Sequence, residues 1–365
     1  MDPVTAVAEL AGGPDPVTGA GGVLPSVRPK GWLRSGWTRG VGLLVAVGVL
    51  LVVMAASLAI GSKPIALATV WDALWHFDGT NDHLIVHSLR IPRTMIGLGV
   101  GLALALAGGV MQGVTRNPLA DPGILGVEAG ASLAVVLGIR FLGLGSLSGY
   151  VWCAFAGAAV ASVVVYGLGA MGRGGATPVK LALAGAALAA LFGSLTSAVL
   201  LLDIRTLDEF RFWAVGSLAG RDGSIVEQVA PFLAVGTVLA LASARSLNAL
   251  ALGDDVARSL GMRVHGARMV AALAVVVLSG AAVAAAGPIG FVGLTVPHVA
   301  RSITGPDYRW VLPWSAVLGP ILLLSADVVG RVVARPGELQ VGIVTAVIGA
   351  PFFIALVRRR KLAEL

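Results

Sequence analysis

Charge is scarce in this sequence. Asp, Glu, Lys and Arg make up 12% of 365 residues, against about 25% in an ordinary soluble domain, too little to cover a water-facing surface of this size. Lysine is rarest: Lys30, Lys63, Lys180 and Lys361 are the full set, and none follows a glycine. A phosphate-binding loop needs Gly-Lys followed by Ser or Thr, so that backbone amides, ammonium and hydroxyl converge on phosphates and Mg²⁺. The chain therefore has no nucleotide site of that kind. The single cysteine, Cys153, excludes an internal disulfide. Neither a nucleophile–base pair nor a metal-ligand cluster falls within the apolar runs, so no catalytic, cofactor-binding or metal residue is assigned. The net charge of +7 does not read as nucleic-acid binding, because the basic residues are spread between apolar runs.

What the sequence does have is apolar length. Hydrophobic residues are 57% of the chain and mean hydropathy is +0.90. Stretches near 20 residues recur throughout, the length of helix that crosses a bilayer's hydrocarbon core. Lipid leaves every backbone N–H and C=O to be satisfied internally, and the stretches are Ala/Leu/Val-rich without period-2 alternation. The expected fold is all-α, a polytopic membrane protein of about ten spans, placed at 40–60, 94–113, 123–139, 149–170, 181–202, 225–243, 269–286, 289–303, 310–331 and 340–357. The eighth is short and contains Pro297, so a partial or broken crossing is expected. The 50 glycines lie inside apolar runs. Gly97/Gly101, Gly126/Gly130 and Gly216/Gly220 have the spacing of close helix packing.

Residues 1–36, rich in Pro and Gly, are expected to form a disordered cytoplasmic tail rather than a signal peptide, with the membrane domain over 37–361. Placing both termini inside gathers Arg34, Arg39, Arg116, Arg173, Arg245, Arg258, Arg263, Arg268, Arg301 and the terminal Arg358–Lys361 run on the inner side. The inner-to-outer ratio of Lys and Arg is then about two to one, as the positive-inside bias expects. A short interfacial helix is expected within 203–224, with Phe210, Phe212 and Trp213 at headgroup level.

Three segments stand out. The inner loop 244–268 is far longer than a connection needs. Leu247 and Leu250 precede Gly253, and Val256, Ala257 and Leu260 precede Gly261. Two short amphipathic helices joined at Gly253 are expected, with Asp254 and Asp255 favourable at the second helix's N-terminus and Gly261 closing it. The pattern suits docking of a cytoplasmic partner, and a helix lying on the membrane surface is the alternative. In 89–126, Pro92 suits a helix start with Arg90 and Arg93 at the outer mouth, and Asn117–Gly123 forms a polar turn at the inner end. Asp327 and Arg331, four apart on one helix, suit an ion pair. His298 reads as a packed structural residue. Glu128, an ionisable group early in a span, receives no role. The outer His76, His83 and His87 with Asp72, Asp78 and Asp82 fit no tight ligand spacing and are expected to be solvated.

LRIPR, RNPLADPG followed by ILGVEAGASL, LNALALGDDVARSLG, GPIGFVGLTVPHVAR, LLLSADVVGR and GELQVGIVTAVIGAPFFIALV occur in that order. Together they resemble the FecCD family, which includes the vitamin-B12 permease of the type II ABC importers, over about residues 40–360. The resemblance implies a ten-span permease in the bacterial cytoplasmic membrane, paired with a second permease subunit, identical or different. It also implies two cytoplasmic ATPases, which carry the ATP and Mg, and an external solute-binding protein. By resemblance, Leu247, Leu250, Gly253, Asp254, Asp255, Ala257, Leu260 and Gly261 couple to the ATPase. Arg90, Arg93 and Arg331 meet carboxylates of the binding protein. Spans five and ten line the path, with Gly174, Gly175 and Thr177 near a cytoplasmic gate. The expected cargo is an iron(III)–siderophore, with cobalamin and haem as alternatives. The rival of another class is an ion-coupled secondary transporter, which calls for mid-membrane carboxylates or paired broken helices.

Overall fold

The computed structural model describes residues 31–33, 35–171 and 178–358. The expected gate residues Gly174, Gly175 and Thr177, and most of the expected tail, lie outside the described residues. Described residues 31–33 run along the end of a later helix, Leu33 N–H donating to the Ile303 carbonyl at 3.0 Å. No strand occurs among the described residues.

The helices are α1 (Gly36–Ala59), α2 (Leu67–Trp75), α3 (Asn81–Ile85), α4 (Ile91–Thr115), α5 (Val127–Leu142), α6 (Leu147–Ala170), α7 (Pro178–Leu202) and α8 (Ile204–Ala214). They continue as α9 (Gly223–Ala242), α10 (Ala244–Ala251), α11 (Asp254–Ser259), α12 (Val264–Ala286), α13 (Val292–Thr304), α14 (Tyr308–Val333) and α15 (Val341–Arg358). Among the described residues, seven helices are long and apolar enough to cross a membrane. The shorter α5, α13 and α15 have 16, 13 and 18 residues and bring the expected spans to about ten. At 1.5 Å per residue, α13 reaches only about 20 Å. Pro297 lies inside it without breaking it, so the eighth segment is an unbroken partial crossing. The ends are called inner and outer after the charge bias.

The bundle is built around α4. Its sequence, IPRTMIGLGVGLALALAGGVMQGVT, is mostly buried, and small residues set how closely its neighbours approach. A Cβ at Gly101 would meet the backbone of Pro320 in α14 at 2.7 Å, and one at Gly108 would strike the backbone of Gly293 in α13. With no hydrophobic driving force between helices in lipid, such backbone approach is the source of packing energy. Gly97 and Gly130 likewise lie against Leu324 and Gly157.

Two expectations are corrected here. Gly216 and Gly220 are not a helix-packing pair. They lie in the turn between α8 and α9 with φ of 72° and 68°, a conformation glycine adopts without steric cost. Pro92 does not start a helix either. The chain is helical from Asn81, passing through a π-helical turn at Val86–Arg90 directly before α4. Such a turn shifts the backbone pairing, which accommodates a proline that lacks an N–H. Helix α8 forms as expected, but only Phe212 is exposed. Phe210 and Trp213, three apart and on one face, are buried because α8 packs against α5 and α7.

Candidate functional site

At the inner end, α10 and α11 form a two-helix platform. Gly253 joins them with φ of 103°, a left-handed value that admits glycine at little cost. Gly261, at φ 81°, closes α11, its N–H donating to the Arg258 carbonyl at 2.9 Å. The apolar residues divide into two sets. Leu247, Leu250 and Ala257 are fully buried, Leu247 lying under Gly113 of α4. Leu252, Val256 and Leu260 are 62%, 45% and 67% exposed. The bundle therefore buries part of the loop's apolar stripe. Leu247 and Leu250 anchor the platform, and the outward stripe runs through Leu252, Val256 and Leu260. Leu252 is not among the residues singled out in the sequence. Its signal is the position two after Leu250, turned a further 200° around a helix of 3.6 residues per turn.

Polar contacts hold the platform to the bundle. Asn248 Nδ2 donates to Asp307 Oδ1 at 2.6 Å, and Asn248 Oδ1 accepts from the Tyr308 N–H at 2.9 Å. Burial pushes the Asp307 carboxyl up, but hydrogen bonds from Arg309 and Asn248 outweigh it and leave the group below the usual carboxylate range. Asp254 lies 2.9 Å from Arg268 of α12 and 3.5 Å from Arg116 at the end of α4. Asp255 is 99% exposed and reaches only Arg258 of its own helix, at 2.8 Å. Of the two aspartates, Asp254 secures the platform and Asp255 faces outward.

At the outer end, the three selected arginines converge between α1, α4 and α14. Arg93 grips the Asp327 carboxylate with Nε at 3.0 Å and Nη2 at 2.8 Å, and reaches Glu338 with Nη1 at 2.7 Å. Arg331 meets the other side of Asp327 at 3.0 Å, the pair expected from their spacing. It also donates to the Ser57 and Ile60 carbonyls at 3.0 and 2.9 Å. Arg90 donates to the Leu58 carbonyl at 2.6 Å and to that of Lys63. Arg90, Arg331 and Asp327 are buried, and Arg93 opens to solvent only on its Glu338 side. The cluster ties the end of α1 to the start of α4 and the end of α14.

Of the outer histidines, His76 and His87 are exposed, as expected, and His83 is not. His83 is buried on α3 with Nδ1 2.7 Å from Asp78 Oδ1, and His87 Nε2 lies 2.8 Å from the Ala73 carbonyl. Among the described residues, no group of three His, Cys, Asp or Glu is placed to hold a metal ion. His298, on α13, faces the Phe352 ring of α15 edge-on at 6.0 Å. Glu128 opens α5 and, with Asp121, Ser279 and Gly293, lines a void too small for more than about one water.

With this geometry in place, the comparisons with known proteins are specific. The sequence model of the FecCD transport family matches residues 49–359. The siderophore transport system permease protein YfiZ of Bacillus subtilis (strain 168) is 44% identical over 317 residues, 87% of this chain and 95% of the relative. The ferric enterobactin transport system permease protein FepD of Escherichia coli (strain K12) is 46% identical over 326 residues, 88% and 96%. Hemin permease HmuU of Yersinia pestis is 37% identical, over 86% and 94%. Among solved structures, a metal-chelate type ABC transporter in an inward-facing conformation superposes with a TM-score of 0.77 at 28% identity, over 88% of this chain and 99% of the other.

Proposed function

The chain belongs to the FecCD transport family, and from that premise we propose that it is the membrane-spanning permease of an ATP-driven importer of iron(III)–siderophore complexes. The observation that carries the coupling reading is the inner platform. It is fixed to the bundle through Leu247, Leu250, Asn248 and Asp254, yet presents Leu252, Val256, Leu260 and Asp255 outward. A rigid element with an unpartnered apolar stripe can transmit the closure of a cytoplasmic ATPase to the helices it rests on. The chain lacks a phosphate-binding loop of its own, so ATP and Mg belong to separate ATPase subunits. Alternating access follows, with both termini in the cytoplasm of a bacterial cell and a second permease subunit completing the path.

The siderophore assignment is supported by relatives such as YfiZ and FepD. On the outer face, a carboxylate of a loaded binding protein meets Arg93 by displacing Glu338, the exposed member of the cluster. Arg90 and Arg331 keep Arg93 and the outer helix ends in place. Charge-assisted pairs of this kind fix register more than they raise affinity.

The reading is tested by purifying the chain in mild detergent after co-expression with a partner ATPase. Retention of the ATPase by the wild type and its loss on deleting 247–261 is the expected result. A chain that runs alone, with or without the loop, contradicts the reading.

A further inference from the structure

Helices α6 and α12 touch in their outer halves and part toward the inner end. At Gly280 an added Cβ would sit 3.5 Å from Phe155 and 3.7 Å from Ala158, ordinary contact. Further in, the two helices separate around a cavity of about 1150 Å³, at or above the upper end of the roughly 300–1,000 Å³ of small-molecule sites. Its back wall is the inner end of α4, at Met111 and Val114. Val163, Met269 and Leu273 line it and are exposed in the isolated chain, so the cavity opens sideways toward the lipid. Arg258, Arg263, His265 and Arg268 ring its inner mouth.

The charges at that mouth do not balance. Asp254 is shared by Arg116 at 3.5 Å, Arg258 at 3.9 Å and Arg268 at 2.9 Å, and Asp255 is engaged by Arg258 at 2.8 Å. Arg263 pairs with no carboxylate among the described residues. Four guanidinium groups thus face two carboxylates, an excess of two positive charges before His265 is counted.

We propose that this groove binds an anionic phospholipid of the inner leaflet, its acyl chains between α6 and α12 and its phosphate at Arg263 and His265. The two halves of the site point to one class of ligand. Apolar walls exclude a hydrated ion as the occupant, since water enters only where several polar partners await it. The basic rim favours phosphate over a neutral headgroup, as basic pockets between spans on the cytoplasmic side do. The cargo route expected from resemblance follows α7 and α15, whereas this groove lies chiefly between α4, α6 and α12. The bound lipid would fill the gap behind the α11–α12 corner, where Asp254 meets Arg268, and so brace the platform. The inference uses the inner and outer assignment from charge bias, not the transport reading. An ATPase that fails to co-purify leaves it standing.

The test uses the full chain, with whatever subunits co-purify, in nanodiscs of equal phosphatidylglycerol and phosphatidylcholine, followed by detergent release and native mass spectrometry. The wild type is expected to retain phosphatidylglycerol in preference to phosphatidylcholine. Arg263→Ala should cut that preference about fivefold, the contribution expected of one surface arginine, and His265→Ala should reduce it further. Gly167 lies on the groove wall with nothing within 4 Å of an added Cβ, so Gly167→Trp adds bulk to the wall where space is open and should lower the retention of both lipids. Equal retention of the two lipids by the wild type overturns the proposal. So does Gly167→Trp retaining lipid as the wild type does, or cross-links showing that an ATPase or second permease fills the groove instead.

Discussion

Asp327 is a carboxylate with 0% exposure, held between the guanidinium groups of Arg93 and Arg331. A buried ion pair is weak evidence of net stabilisation, because desolvation offsets much of the attraction. Removing one member is different, since it leaves an uncompensated buried charge that costs about 3–5 kcal/mol. Asp327→Ala is therefore expected to lower the melting temperature sharply in a detergent thermal-shift assay, and Glu338→Ala to change it little. Equal effects would mean that the cluster is not the clamp its geometry describes. Sequence spacing made the Asp327–Arg331 pair legible, because i,i+4 neighbours share a helix face. It could not reveal Arg93 on the other side of the same carboxylate, 234 positions away in the chain. Nor could it tell that Arg90 and Arg331 turn inward onto backbone carbonyls, for the outer mouth of a span looks alike in sequence whether an arginine faces water or fills the seam between helices.

The platform α10–α11 divides its side chains between anchoring and presentation, and the two sets predict different failures. Leu250 is buried, so Leu250→Ala is expected to cost about 2–5 kcal/mol of stability, read as loss of monodisperse protein on size exclusion. Leu260 is exposed on the outward stripe, so Leu260→Arg is expected to leave folding and membrane insertion intact. If it is a central contact for an ATPase, it weakens association by about 2 kcal/mol, roughly 30-fold. A Leu260→Arg variant that binds the ATPase and imports cargo like the wild type removes the coupling role from this element. The two helices, their Gly253 joint and the Gly261 close were legible from apolar period and glycine placement. Which face was buried was not, because that depends on where α4, α12 and α14 end beneath the platform. Likewise the π-helical turn before Pro92 leaves no mark in composition, whereas the long apolar runs announced α1, α6, α9 and α12 to within a few residues, apart from the start of α12.

Across the whole molecule, helix number and order follow from the lengths of apolar runs, while their arrangement follows from small residues along α4. Gly101 and Gly108 set the approach of α14 and α13, and no side chain fits at either contact. Gly108→Val is expected to prevent assembly of the bundle, detected as aggregation on fluorescence-detected size exclusion, whereas Gly48→Val on exposed α1, with nothing within 4 Å, should be tolerated. The inner end carries a platform with an outward apolar stripe and the outer end is clamped by arginines, while Asp121 and Glu128 line one small void with Leu104, midway along α4. That division of labour is the central claim: energy enters from another subunit at the inner platform. The most direct test is uptake of a radio-iron siderophore complex into proteoliposomes holding this chain with its ATPase, the loaded binding protein outside. The account predicts uptake only when ATP is present on the ATPase side, and none with Leu260→Arg. Uptake without ATP, driven by an imposed ion gradient, would contradict it.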